Sequence, residues 1–115
     1  MKILIFGAGY LGTRMAQAWP DAILSTARID DKNAVLRAFD EHKPDAVVNA
    51  VGKKGTPNID WCETHQTETF RSNTLAPLIL AEACQERGIY LIKLSSGCIF
   101  YGDSPDDQGW RAEDA

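Results

Sequence analysis

A chain of 115 residues has room for one core and little for a second, and its 44% hydrophobic and 24% charged residues are ordinary for a globular domain. Its net charge of −4, with acids and bases interspersed, provides neither the basic stripe that nucleic acid requires nor the basic helix that a membrane surface selects, so a small-molecule ligand is expected. No apolar run is long enough to cross a bilayer or built as a secretory leader, and Cys62, Cys84 and Cys98 form no C-x-x-C, which suits reduced thiols and a cytoplasmic location.

The first element carries the strongest signal. An apolar, β-prone run over 3–6 drops into Gly7, Gly9 and Gly12, and Leu11, Met15 and Ala18 follow at helical spacing. In a strand–turn–helix the spacing G-x-G-x-x-G gives each glycine a separate task. Gly7 makes the tight turn, Gly9 lets a pyrophosphate touch bare backbone, and Gly12 lets helix and strand pack closely. The helix that begins there offers unpaired N–H groups and the positive end of its dipole to an anion.

That helix is expected over 10–19, because Pro20 cannot continue it. A short second strand over 22–26 leads through A-R-I-D-D into a second helix, capped by Asp30 or Asp31, with Val35, Leu36 and Phe39 facing inward and an end near His42, ahead of Pro44. Residues 45–50, D-A-V-V-N-A, read as strand three. The loop over 52–59 lies just past its carboxyl end, where an open α/β sheet holds its ligand. Asp60 and Glu63 have the spacing of a capping box, and helical character runs from there to Arg87, with Gly88 as the stop and a kink or restart near 73–77 imposed by Pro77. Strand four is expected over 89–94, followed by S-S-G-C-I-F-Y-G.

Strands alternating with helices require right-handed crossovers and a parallel sheet covered on both faces. The fold class is therefore α/β, a three-layer, Rossmann-like, doubly wound sheet of strand order 2-1-3-4, with residues 1–115 forming one dinucleotide-binding domain. Its crevice lies between strands one and three.

At the end of strand two an acidic residue would read a ribose 2′-hydroxyl, whereas an arginine would accept a 2′-phosphate. Here the sequence is S-T-A-R. Arg28 favours NADP(H) and leaves NAD(H) open, since Asp30 is close enough to compete. The backbone of Asn49, Ala50 and Val51 should line the crevice. Ser95 and Ser96 end strand four in the same row, where a serine can hydrogen-bond a substrate carbonyl but needs an acid or base beside it to do more. No metal is expected at Cys62, Glu63 and His65, because zinc needs three or four ligands and no matching group completes the set. Trp61 and Phe70 read as core or loop packing.

Taken together, G-A-G-Y-L-G, V-V-N-A-V-G, R-S-N-T-L-A and L-S-S-G-C-I-F, in this order, resemble the N-terminal part of an extended short-chain dehydrogenase/reductase. The resemblance is greatest to the 4-keto-rhamnose reductases, including the nucleotide-rhamnose synthase/epimerase-reductase enzymes of plants, and P-N-I-D-W-C-E is its most specific part. It implies a cofactor held by Gly7, Gly9, Tyr10, Leu11 and Gly12, by Asn49, Ala50 and Val51, and by Ser95. Asn73 matches the helix asparagine of that family, and Ser96 its catalytic Ser or Thr, which holds the carbonyl of a nucleotide-sugar substrate.

Two departures stand out. The family usually spaces its first two glycines one residue wider than Gly7 and Gly9. Its proton donor is the Tyr of Tyr-x-x-x-Lys, whereas Tyr10, Tyr90 and Tyr101 are followed four residues later by Arg14, Leu94 and Pro105. The 115 residues alone are therefore expected to bind cofactor weakly, to turn over no substrate, and to self-associate through the unpaired edge over 89–94. A non-catalytic nucleotide-sensing subunit of the same fold is the alternative.

Overall fold

The structure, a computed structural model, describes residues 1–95, 103, 104, 106–111 and 113; Ser96, Cys98 and Tyr101 lie outside the described residues. In chain order the elements are β1 (Ile3–Phe6), α1 (Tyr10–Ala18), β2 (Ala22–Ser25), α2 (Lys32–His42), β3 (Ala46–Asn49), α3 (Trp61–Thr64) and α4 (Gln66–Phe70). A π-helical turn (Arg71–Leu75) then leads into α5 (Ala76–Arg87) and β4 (Tyr90–Lys93). The strands form one parallel sheet in the order β2-β1-β3-β4, as the sequence predicts.

Register matters for function. Phe6 pairs with Ser25 on one side and Asn49 on the other, and Asn49 pairs with Lys93, so all four strands end level with one another. The chain leaves β1 in one direction along the sheet and leaves β2 and β3 in the other. Right-handed crossovers then put α1 on one face and α2 and α5 on the opposite face. The main core lies beneath α2 and α5. Leu4, Phe6 and Val47 of the sheet meet Val35, Ala38 and Phe39 of α2 and Leu80, Ala83 and Cys84 of α5. Phe6 and Phe39 pack edge to face, with ring centroids 6.3 Å apart. Burial pushes the Cys84 thiol up to about 11, which keeps it protonated and inert.

Several boundaries differ from expectation, each for a local reason. Of the two candidate caps of α2, Asp31 does the work: its Oδ1 accepts the Ala34 N–H at 3.1 Å, while Asp30 is taken by Arg28. The capping box at Asp60 and Glu63 does not form. Asp60 is already in helical conformation and caps nothing, and His65 (φ −127°, ψ 48°) breaks the helix after a single turn. From Gln66 to Arg87 the helix runs on, and the irregularity demanded by Pro77 takes the form of the π turn, with the Ala76 N–H donating to the Arg71 carbonyl. Gly88 ends it in the left-handed region at φ +62°.

The expectation of a sheet covered on both faces is corrected at β4. Tyr90 and Ile92, which share the face of α1, are 70% and 41% exposed. Four strands span about 14 Å, whereas a helix is about 10 Å wide, so α1 over β1 and β2 cannot also shield β4. Phe70, read as core or loop packing, is also exposed. Among the described residues no helix is long and apolar enough to cross a membrane.

Asp31→Ala should cost about 1 kcal/mol through loss of the cap, and Leu80→Ala about 2–5 kcal/mol through the cavity it leaves. Urea denaturation followed by circular dichroism measures both, and equal midpoints for the two variants would contradict this ranking.

Candidate dinucleotide-binding site

The site is built around the glycine turn. Gly7 has φ +106°, and a Cβ there would lie 2.6 Å from the carbonyl carbon of Ala50, so both conformation and space exclude a side chain. A Cβ on Gly12 would run into the Gly7 carbonyl oxygen. These contacts draw the start of α1 against the exits of β1 and β3, where the Ala50 N–H donates to the Phe6 carbonyl at 2.8 Å. Gly9 is different. It caps α1 in extended conformation, with no side-chain cap, no acidic residue in the first turn and, among the described residues, nothing within 4 Å of where its Cβ would be. The leading amides of α1 consequently face open space with their hydrogen-bonding capacity unspent.

Beside this turn a cavity of about 490 Å³ spans the strand ends. Gly7 and Ala8 form one wall, residues 25–30 after β2 a second, Val51 and Lys53 a third, and Glu68, Arg71, Ser72 and Ala76 of the long helix the fourth. The size is that of a small-molecule pocket. Arg28 does line it, but as a partner of Asp30, to which it donates from Nε at 3.0 Å and from Nη2 at 2.9 Å. This hydrogen-bonded pairing holds the Asp30 carboxyl below its usual range and raises the guanidinium. The Ser25 hydroxyl accepts the Ala27 N–H and shapes the turn that carries both.

The wall after β3 is fixed by Asn73. Its Oδ1 accepts the Lys53 N–H at 2.7 Å and its Nδ2 donates to the Lys53 carbonyl at 2.8 Å, so one side-chain amide satisfies both backbone groups of one loop residue. The Lys53 ammonium reaches Glu68 at 3.1 Å and lies 5.0 Å from the ring centre of Trp61, which stacks on His65 at 3.7 Å. Trp61 is thus loop packing, as expected, and Gly55 at φ +78° gives it room.

Of the residues expected at the site, Gly7, Arg28 and Val51 line the cavity, while Gly9, Tyr10, Leu11, Gly12, Asn49 and Ala50 lie along the adjoining turn and strand end. Asn49 is fully buried. Its Oδ1 accepts the Val51 N–H at 3.0 Å, and its Nδ2 has no partner among the described residues. Asn73 faces the loop and is not part of the cavity wall. Ser95 is exposed just past β4, and Ser96 lies outside the described residues. Sequence reasoning missed Lys53, Glu68, Arg71 and Ser72. The available signal was Pro77, which marks the irregular turn that carries two of them. Lys93 was also missed; its ammonium donates to the Leu94 carbonyl at 2.7 Å.

A glycine turn against a parallel strand, an uncapped helix start and a cavity over level strand ends belong to a Rossmann-like α/β fold of the short-chain dehydrogenase/reductase type. The chain belongs to the family of the RmlD substrate binding domain, whose model matches residues 1–115. It is 34% identical over 114 residues to a trifunctional UDP-glucose 4,6-dehydratase/UDP-4-keto-6-deoxy-D-glucose 3,5-epimerase/UDP-4-keto-L-rhamnose-reductase of Arabidopsis thaliana, covering 95% of this chain and 17% of that one. The crystal structure of the UDP-rhamnose synthase of Acanthamoeba polyphaga mimivirus superposes with a TM-score of 0.84 at 36% identity, over 96% of this chain and 43% of the other. The dTDP-4-dehydrorhamnose reductase of Bacillus anthracis, solved in complex with NADP, shares the fold at a TM-score of 0.78 and 22% identity, over 90% of this chain and 39% of its own. The chain thus spans less than half the length of these relatives.

Asn73→Ala should free both backbone groups of Lys53. Amide hydrogen exchange at Lys53 should then quicken, with a global cost of about 1 kcal/mol. Unchanged exchange at that amide would show that the loop is held by something else.

Proposed function

We propose that this chain is the dinucleotide-binding part of a reductase that takes a 4-keto-6-deoxysugar nucleotide to the rhamnose form, with NADP(H) preferred to NAD(H). The observation that carries the reading is the uncapped start of α1 at Gly9, which directly follows Gly7 and Ala8 in the wall of the cavity whose β2 side bears Arg28. The residues present fit such a cofactor. The free amides at 10–12 suit a pyrophosphate, and the bare backbone at Gly9 leaves it room. The names of the relatives support the substrate class, and the bound NADP of one of them supports the cofactor.

In this reading Gly7, Gly9, Tyr10, Leu11 and Gly12 bind the pyrophosphate through backbone, since the Tyr10 side chain is occupied by Arg14, whose guanidinium carbon lies 5.3 Å from the ring centre. Arg28 acts at the 2′-position, the segment 49–51 lines the crevice, and Asn73 keeps the wall at Lys53 in place. Ser95 contributes to the cofactor site, and Ser96 holds the sugar's carbonyl oxygen by donating its hydroxyl proton in a hydrogen bond. A bound nicotinamide supplies the reducing equivalents. The outer edge of β4, unpaired among the described residues and bordered by exposed Tyr90 and Ile92, is the surface through which we expect the chain to self-associate.

Titration with NADPH and NADH should show saturable binding, tighter for NADPH. Gly9→Asp should abolish it while leaving the melting temperature unchanged or raised, because the new side chain meets no protein atom, is a favourable helix cap, and places a negative charge where the pyrophosphate would lie. Absence of saturable binding by the unaltered chain would sink the proposal. Light scattering checks the edge: a concentration-dependent rise in mass that Ile92→Lys suppresses is the expected result.

A further inference from the structure

Resting on that reading of the cavity as a cofactor site, we infer that Arg71 is a specificity-determining residue, the guanidinium that receives the 2′-phosphate of NADP(H). Three cations line the cavity, Arg28, Lys53 and Arg71, together with two carboxylates, Asp30 and Glu68. Arg28 is held by Asp30 through two donors, and Lys53 is held by Glu68. Arg71 takes part in none of the ion pairs among the described residues. It carries the positive charge by which the cavity lining as a whole exceeds neutrality.

Charge balance explains why Arg28 alone is a poor reader of a phosphate. A phosphate monoester brings a charge of roughly −1.5 to −2 at neutral pH. Beside Arg28 it would also stand beside the carboxylate that Arg28 already neutralises, and a pair of net charge zero offers it little attraction. A second guanidinium on the facing wall changes the sum. Arg71 is within electrostatic reach of the same place, since its charge is among the influences that lower Asp30. Asp30 can then accept a hydrogen bond from the 2′-hydroxyl of NAD(H), while Arg71 and the remaining donors of Arg28 close on the 2′-phosphate of NADP(H).

Local structure supports the assignment. Arg71 opens the π turn, and such turns are frequent at functional sites. Within it Arg71 and Ser72 line the cavity while the next residue, Asn73, clamps Lys53. Three consecutive side chains of an ordinary α-helix fan out over about 200°, and the wider π turn narrows that spread.

The experiment compares NADPH with NADH, and 2′-phospho-AMP with AMP, by fluorescence or calorimetric titration of the unaltered chain, Arg71→Gln and Arg71→Lys. Arg71→Gln should weaken NADPH and 2′-phospho-AMP by roughly tenfold to a hundredfold, the worth of a charge-assisted hydrogen bond, and leave NADH and AMP within about twofold. Arg71→Lys should restore part of the loss, and raised salt should shrink the NADPH advantage of the unaltered chain but not of Arg71→Gln. Equal loss for both members of each pair would make Arg71 a merely structural residue and overturn the inference, as would no loss at all. If the unaltered chain binds neither dinucleotide, the reading of the cavity itself fails and takes this inference with it. Binding of both with an unchanged ratio in Arg71→Gln refutes Arg71 alone.

Discussion

The contact on which the rest of the site depends is the approach of α1 to the backbone of β1 and β3, made where Gly12 touches the Gly7 carbonyl and Gly7 touches Ala50. It is a contact between backbones. A methyl group at either position would push the helix start away from the strand ends and displace Gly7 and Ala8, which line the cavity. The buried residues Leu4, Ile5 and Phe6, all at 0% exposure, hold β1 at the centre of the sheet and so hold that contact steady. The apolar core and the glycine turn are therefore one construction, since the buried residues of β1 run directly into Gly7.

Around that fixed point the electrostatics are arranged by neutralisation. The wall after β2 carries Arg28 with Asp30, and the opposite wall carries Lys53 with Glu68. These exposed pairs contribute little to stability. Their importance is positional, since each restrains a long side chain at the rim of a cavity that would otherwise be lined by freely moving charges. Elsewhere, Arg87 with Asp40 and Lys32 with Glu82 and Glu86 join α2 to α5 across the surface above the main core.

The parts of the molecule legible in the sequence are those governed by local sterics or by handedness. Gly7 and Gly12 announce themselves because only glycine fits the turn and the close approach there, and the order β2-β1-β3-β4 follows from short strands, intervening helices and right-handed crossovers. Pro77 announced an irregular helix, although it could not say that the irregularity would be a π turn. What was not legible depends on partners distant in the chain. Nothing near Arg71 or Lys53 signals that they line one cavity, because that juxtaposition arises only once the long helix has docked on the sheet. Asp60 and Glu63 misled for a related reason: the spacing of a cap was present, but the loop closing on Trp61 holds Asp60 already inside the helical turn. At β4, apolar residues on both faces indicated two covering layers, yet coverage is a property of neighbouring segments and not of the strand itself.

The amide of Asn73 has one further implication. Its two hydrogen bonds to Lys53 belong to a single planar group governed by one pair of side-chain torsions, so a rotation that breaks one breaks the other. Release of this wall is cooperative at the scale of a single residue. The two backbone bonds of Lys53 are made or lost together, and when they are lost the loop keeps the ion pair of its ammonium with Glu68 as a tether to the long helix.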